Sequence, residues 1–395
     1  MFFDNKKINR QLKILFLLSG ILFFFSCFGG GAFTKSQIEE SKMLSEKSKF
    51  LSGHTDLQDN RLAEFIKKGN YGKYKDILRR YLNYFQTKTI TPIRKWSDEN
   101  VTNVKAESVF YPFSGPDFLN IYSIYPNAKQ YIMIGLETIG EIPNFEKYSD
   151  TELSAGLNEI QVALESISRR NFFVTKSMSK DINRSKIKGT IPIFLTYLGF
   201  LDLTPLSIQY VKINSSGQVE PLSNNESLQA DKNLNGIKIQ FIEKDKLLAE
   251  ENIKTIYYFT ADVSNKGFTS NSGIEKFLKN KGDVAVSFKA ASYLPHGKNF
   301  SNLKDYVQKN AEVIVMDDTG PKINSFDKNW DIRVFGTYGQ PIKAFKDKYQ
   351  KPLEKLFHEQ RPKRLDFRFG YGKNEYQIII KLSKKHNSQN TKQIQ

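Results

Sequence analysis

Cysteine is all but missing: the chain of 395 residues contains one, Cys27. No intramolecular disulfide can form, so an oxidised framework is excluded. Histidine is nearly as scarce, with four in the chain. Glu354 stands one helical turn before His358, a pair expected to be an ordinary helix-surface contact, and no other ligand spacing supports a metal site, so none is expected. The glycine pairs in "FGTYGQPI" and "RFGYGKNE" fall short of a phosphate-binding loop and are expected to be turns. With no such loop, no cofactor is expected either. No internal repeat and no recognised nucleic-acid-binding module is present. The body also lacks an apolar run that would span a membrane: "GTIPIFLTYLGFLDLTP" is too short and too punctuated by glycine and proline, and is expected to be a buried helix.

Acidic residues are the minority. Lys and Arg number 59 against 42 Asp and Glu, a formal net charge of +17. A surface this basic keeps a protein soluble and also attracts polyanions such as anionic glycans and lipid headgroups. The charge is not evenly placed: residues 343–373 hold ten bases against four acids. There "RPKR" makes Arg361, Lys363 and Arg364 a candidate anion-binding run. Aromatic residues make up 13%, and core is their expected location.

The first residues supply an address. Lys6, Lys7, Arg10 and Lys13 precede an apolar segment over residues 14–25, in the order of a bacterial export signal. That run falls short of the about 20 apolar residues a membrane-spanning helix needs. Small Ser26 then stands before Cys27 and a triplet of glycines, with Phe24 where leucine is usual. This resembles the lipobox of bacterial lipoproteins. The resemblance implies cleavage after residue 26, acylation of Cys27 and attachment to a membrane. Each buried CH₂ of the acyl chains contributes about 0.8 kcal/mol, so several chains hold a protein nearly permanently. Phe28 follows the cysteine, where inner-membrane lipoproteins often carry Asp, so the outer membrane is the expected location. Nucleic acid is not an expected partner there.

Hydrophobic periodicity divides the rest. Residues 27–58 are expected to be a lipidated tether or loose helix, 59–106 a helical N-terminal element, 107–383 a mixed body and 384–395 a basic tail. Within the body, "SVFYPF", "KQYIMIGLE", "LSIQYVKIN", "GIKIQFIEK" and "KTIYYFTADVS" read as strands. Ser114 is the expected cap of a helix over "SGPDFLNIYSIYP". Ser149 and Glu152 form a capping-box pattern ahead of Leu153, Leu157, Ile160 and Leu164 on one helical face. The expected fold class is α+β or α/β, with one main mixed sheet and flanking helices.

Two stretches could carry chemistry. In "VIVMDDTGP" a strand ends on Asp317 and Asp318, the edge where α/β proteins bind ligands. Asp318-Thr319-Gly320 resembles the D-T-G of aspartic proteases, which need two such triplets, and one is present. Haloacid-dehalogenase-type phosphatases carry D-x-D-x-T; here the two aspartates are adjacent, so their side chains point opposite ways. An acidic turn closed by Gly320 and Pro321 accounts for the same residues. In "FKAASYLPHGKNFS", Lys289, Ser292, Tyr293 and His296 could supply a nucleophile, a proton donor and a base. Were "DVAVSF" and "AEVIVM" neighbouring parallel strands, both loops would leave the sheet at one edge. Tyr293, His296, Asp317 and Asp318 would then form a hydrolase site. The competing expectation is a lipid-anchored binding or structural protein that uses its basic face.

The stretches "YPFSGPDFLNIYSIYP", "GLE", "SYLPH", "DDTG" and "FGTYGQPIKAF" together resemble a group of bacterial exported proteins of unassigned function. The similarity spans about residues 111–345 and implies an exported single-body fold without naming an activity.

Overall fold

The computed structural model describes residues 33–170, 185–222, 234–269, 273–371 and 377–384. The expected export signal, Cys27 and the tail beyond residue 384 lie outside them. Among the described residues no helix is long and apolar enough to cross a membrane.

Four helices come first: α1 (Lys35–Leu51), α2 (Asn60–Phe65), α3 (Gly69–Phe85) and α4 (Thr91–Asn100). Strand β1 (Ser108–Tyr111), helix α5 (Phe118–Ile124) and strand β2 (Gln130–Gly135) follow, then helices α6 (Asp150–Arg170) and α7 (Ile191–Phe200). A run of strands comes next: β3 (Leu203–Ile213), β4 (Val219–Pro221), β5 (Leu234–Glu243) and β6 (Lys254–Thr260). The chain ends with α8 (Asn265–Thr269), α9 (Ile274–Lys279), β7 (Val284–Phe288), α10 (Ser301–Asn310), β8 (Ala311–Met316), β9 (Trp330–Thr337), α11 (Lys351–Gln360) and β10 (Gln377–Lys384).

All ten strands join one mixed sheet in the order β4-β3-β5-β6-β2-β1-β7-β8-β10-β9. Its centre, β6-β2-β1-β7-β8, is parallel. In chain order these five are the third, second, first, fourth and fifth parallel strands, the order of a doubly wound sheet. The chain winds outward from β1 to β2 and β6, then returns to start the other half at β7. Antiparallel strands extend both edges, β5, β3 and β4 on one side and β10 with β9 on the other.

Winding in opposite directions with one handedness of crossover puts the helices on opposite faces. Alternate strand residues such as Val109, Tyr131, Met133, Phe241 and Tyr258 pack with α1 to α7. Their neighbours, Phe110, Ile132, Ile134, Phe259 and Val286, pack with α8 to α11. The result is a three-layer sandwich, a large mixed sheet with helices on both sides, as the fold class anticipates. Buried aromatics fill much of it: Phe118, Tyr131 and Phe241 meet with ring centroids 5.3 to 6.4 Å apart.

The structure departs from expectation at "FGTYGQPI", where Phe335, Gly336 and Thr337 belong to strand β9 rather than to a turn, and in two further places. Residues 35–51 are not a tether: α1 begins with a complete Thr34–Gln37 capping box and buries Leu44, Phe50 and Leu51 in the body. Its serines reach main-chain carbonyls, Ser41 on Pro205 (2.9 Å) and Ser48 on Leu195 (2.7 Å). Ser114 caps nothing; its hydroxyl donates to the Ile134 carbonyl (3.2 Å), and Asp117 is the residue before α5. The Ser149–Glu152 capping box forms as expected, with Ser149 N donating to Glu152 Oε2 (2.9 Å) and Glu152 N to Ser149 Oγ (3.3 Å).

Candidate functional site at the strand crossover

Five parallel strands deliver five loops to one edge of the sheet. The crevice between β1 and β7, where winding reverses, is where such sheets bind ligands. A cavity of about 400 Å³ opens there, within the range of ordinary small-molecule sites. The turns after β1, β2, β6 and β7 line it, with Tyr371 contributing from the C-terminal segment.

Charge is buried in its wall. Alternation along β7 puts Lys289 on the face of Ala285, towards the N-terminal helices. There its Nζ meets Asp117 Oδ2 at 2.7 Å, the two side chains being 1% and 4% exposed. Tyr111 Oη donates to the same Asp117 oxygen (3.1 Å) and Asn120 Nδ2 to the other (2.6 Å). Asp117 is the one hydrogen-bond partner found for Lys289 among the described residues, so two of its three N–H bonds remain unassigned. Burial pushes the Lys289 ammonium below its ordinary value, and the charges of Asp117 and Asp317 oppose that shift.

A second carboxylate closes the other side. Glu137 follows β2 and is 1% exposed. Its Oε2 accepts from Leu136 N (3.1 Å) and Tyr258 Oη (3.1 Å). Its Oε1 has no partner among the described residues. A buried acceptor left without a donor costs about 1–3 kcal/mol.

The backbone here is strained. Phe113, Ala290, Ser292 and Tyr293, all lacking glycine's freedom, hold φ between 51° and 60°. Such left-handed residues cost of order 1–3 kcal/mol each and cluster where function requires a fixed loop. Three of them, Phe113, Ala290 and Ser292, line the cavity.

The expected hydrolase residues are brought near one another but not into one cavity. β7 and β8 are parallel neighbours joined through α10, so both loops do leave at one edge. Pleat alternation sends Asp317 to the face of Val315 and Asp318 to the face of Met316. Asp317 is fully buried, accepting from Ala290 N (2.9 Å), from Thr319 N (3.0 Å) and from the Thr319 hydroxyl. Gly370 covers it so closely that a Cβ there would lie 1.8 Å from its Oδ2. Burial, then the adjacent Asp318 charge, raises its carboxyl to about 7 against the pull of its three donors. Asp318 instead accepts from Tyr293 Oη at 2.7 Å. Burial and then Asp318 push that phenol far above its ordinary value, so it serves as a donor.

His296 faces a different space, an open groove of about 710 Å³ that Tyr293, Lys322, Lys348 and Lys351 also line. Its ring stands edge-on to Tyr293 with centroids 5.1 Å apart. Burial first, then Lys322, pushes it down to about 4, so the imidazole is neutral at physiological pH. In an NMR titration its Cε1 proton is expected to move near pH 4; a midpoint above about 6, the solvated range, would contradict the packing. Arg361, Lys363 and Arg364 lie beyond both spaces, exposed in the segment after α11.

Sequence reasoning picked out Lys289 and Ser292 but passed over Asp117 and Glu137 as site residues. The available signal was their position: Glu137, like Lys289, is the first charged residue after a buried parallel strand, and Asp117 closes the turn after β1. No cluster of His, Cys, Asp and Glu among the described residues could hold a metal ion. No family model, curated protein or solved structure matches the chain.

Proposed function

We propose that this protein is a lipid-anchored protein of the bacterial envelope whose body binds a small polar organic molecule in the cavity between β1 and β7. Lys289 and Asp117 are the groups that meet it. The observation that carries this reading is the buried ion pair in the cavity wall. Apolar residues of like volume usually stabilise a fold as well as or better than a buried pair, so keeping one at a ligand-binding edge points to use. Lys289 is equipped to orient or protonate an oxygen of the ligand, with Asp117 holding the ammonium in place. A hydrolase built on Tyr293, His296, Asp317 and Asp318 has less support, because Asp317 is buried and engaged by Ala290 N, Thr319 N and the Thr319 hydroxyl, and His296 opens on the other groove. The lipobox-like segment supports attachment through Cys27. The exposed Arg361, Lys363 and Arg364 suit contact with anionic headgroups or glycans.

The test is a small-molecule library read by thermal melting of the purified full chain in detergent. A ligand at about 100 times its Kd adds about 2.7 kcal/mol to stability. Leu136 and Leu294 stand exposed at the rim, so Leu136→Trp with Leu294→Trp is expected to keep the unliganded melt and abolish the ligand-induced rise. A library without any stabilising compound, or one whose compounds stabilise the rim variant equally, sinks the reading.

A further inference from the structure

Glu137 has a carboxylate oxygen that none of the described residues meets. Oε2 accepts from Leu136 N and from Tyr258 Oη, whose one proton is shared with the Glu137 carbonyl at the same 3.1 Å, while Oε1 has no donor among the described residues. The residue is 1% exposed and belongs to the cavity wall. Its carboxylate lies against the turn after β1, where a Cβ on Gly115 would sit 3.2 Å from Oε2. In the dinucleotide-binding members of the doubly wound folds an acid about 20 positions beyond that turn accepts from a ribose hydroxyl. Glu137 occupies that place.

The turn itself differs from a phosphate site. It offers one glycine, then Pro116, which has no N–H, then the Asp117 carboxylate at the start of α5. A phosphate placed there would face Asp117 and Glu137 with only Lys289 to offset them, and Lys289 is already paired. Beside the acids the wall is apolar: Phe113 and Phe300 meet edge-to-face with centroids 5.5 Å apart, and Leu136 and Val263 stand near them. A flat base suits that side.

We infer that the cavity takes a ribonucleoside without phosphates, with Glu137 accepting hydrogen bonds from its adjacent ribose hydroxyl groups. This rests on the small-molecule reading of the cavity above and names its ligand class.

The experiment is isothermal titration of the full chain in detergent with adenosine, guanosine, cytidine and uridine, their 2′-deoxy forms and their 5′-monophosphates. At least one ribonucleoside is expected to bind saturably, its 2′-deoxy form and its monophosphate each at least tenfold more weakly. Glu137→Gln is expected to weaken the ribonucleoside at least tenfold and leave the deoxy form unchanged. Leu136 N, with the shared Tyr258 hydroxyl, favours the amide oxygen at the Oε2 position, which turns the free position into an N–H₂ donor. Equal binding of the deoxy form, tighter binding of the monophosphate, or no binding of any of the four overturns the inference, and these comparisons stand on the unaltered protein. If library compounds stabilise the protein and the rim variant abolishes the effect while no ribonucleoside binds, the ligand class fails and the cavity reading survives. If nothing binds, both fail.

Discussion

Lys289→Met is expected to destabilise the protein by about 3–5 kcal/mol, the cost of stranding one member of a buried ion pair. The substitution keeps the length and apolar stem of the side chain, so lost packing contributes little. What changes is that Asp117, 3% exposed, loses its counter-ion and is left, among the described residues, with the Tyr111 and Asn120 side chains as donors. Restoring neutrality should restore stability: Lys289→Met with Asp117→Asn is expected to regain part of the loss, since the amide carries no stranded charge and its oxygen still accepts a hydrogen bond from Tyr111 or Asn120. Urea unfolding of the two single variants and the double variant measures this as a coupling energy. A loss below about 1 kcal/mol in Lys289→Met, the range of exposed pairs, would mean the pair is solvated and would remove the argument that it is kept for a ligand. The functional reading adds a second expectation. The double variant should fold and yet bind no library compound that the unaltered protein binds.

How much of this could be read in the residues depends on how local each feature is. The helix after Ser149 was legible because its cap and its apolar face lie within one short window. So was the divergence of Asp317 and Asp318, since adjacent residues of a strand face opposite sides whatever the fold. The parallel pairing of β7 with β8 followed from a strand-helix-strand pattern of ordinary length. The role of α1 was hidden. Its stretch is mostly polar, and Ser41 and Ser48 become useful only against carbonyls of Pro205 and Leu195, more than 140 positions away. The site was hidden for the same reason. Asp117 and Lys289 are 172 positions apart, and only the strand order, with β1 beside β7, makes them partners. A buried Lys and a buried Asp look like any other charged residues until the sheet joins them.

Asp317 should make stability fall as pH rises towards neutrality. Its folded carboxyl titrates at about 7, against about 3.9 in an unfolded chain. The folded state therefore holds a proton that the unfolded state has already released between these values. Stability from this group is complete below about pH 4 and is lost as pH rises through 7, after which it levels off. Other carboxylates overlay the same range, so the measurement is a difference. The stability of the unaltered protein minus that of Asp317→Asn, which has no proton to lose, is expected to decline from pH 4 to 7 and stay flat above 8. A difference independent of pH would mean that Asp317 is ionised throughout. Thr319→Val gives an independent sign. Its hydroxyl donates to Asp317, which favours the charged form, so removing it should move the decline to higher pH, at the cost of the partner of Ala291 N. The consequence reaches the cavity. Asp317 accepts from Ala290 N, lies close enough for its charge to act on Lys289, and would exchange its proton near neutral pH. Binding to the cavity should accordingly change between pH 6 and 8 in the unaltered protein and not in Asp317→Asn.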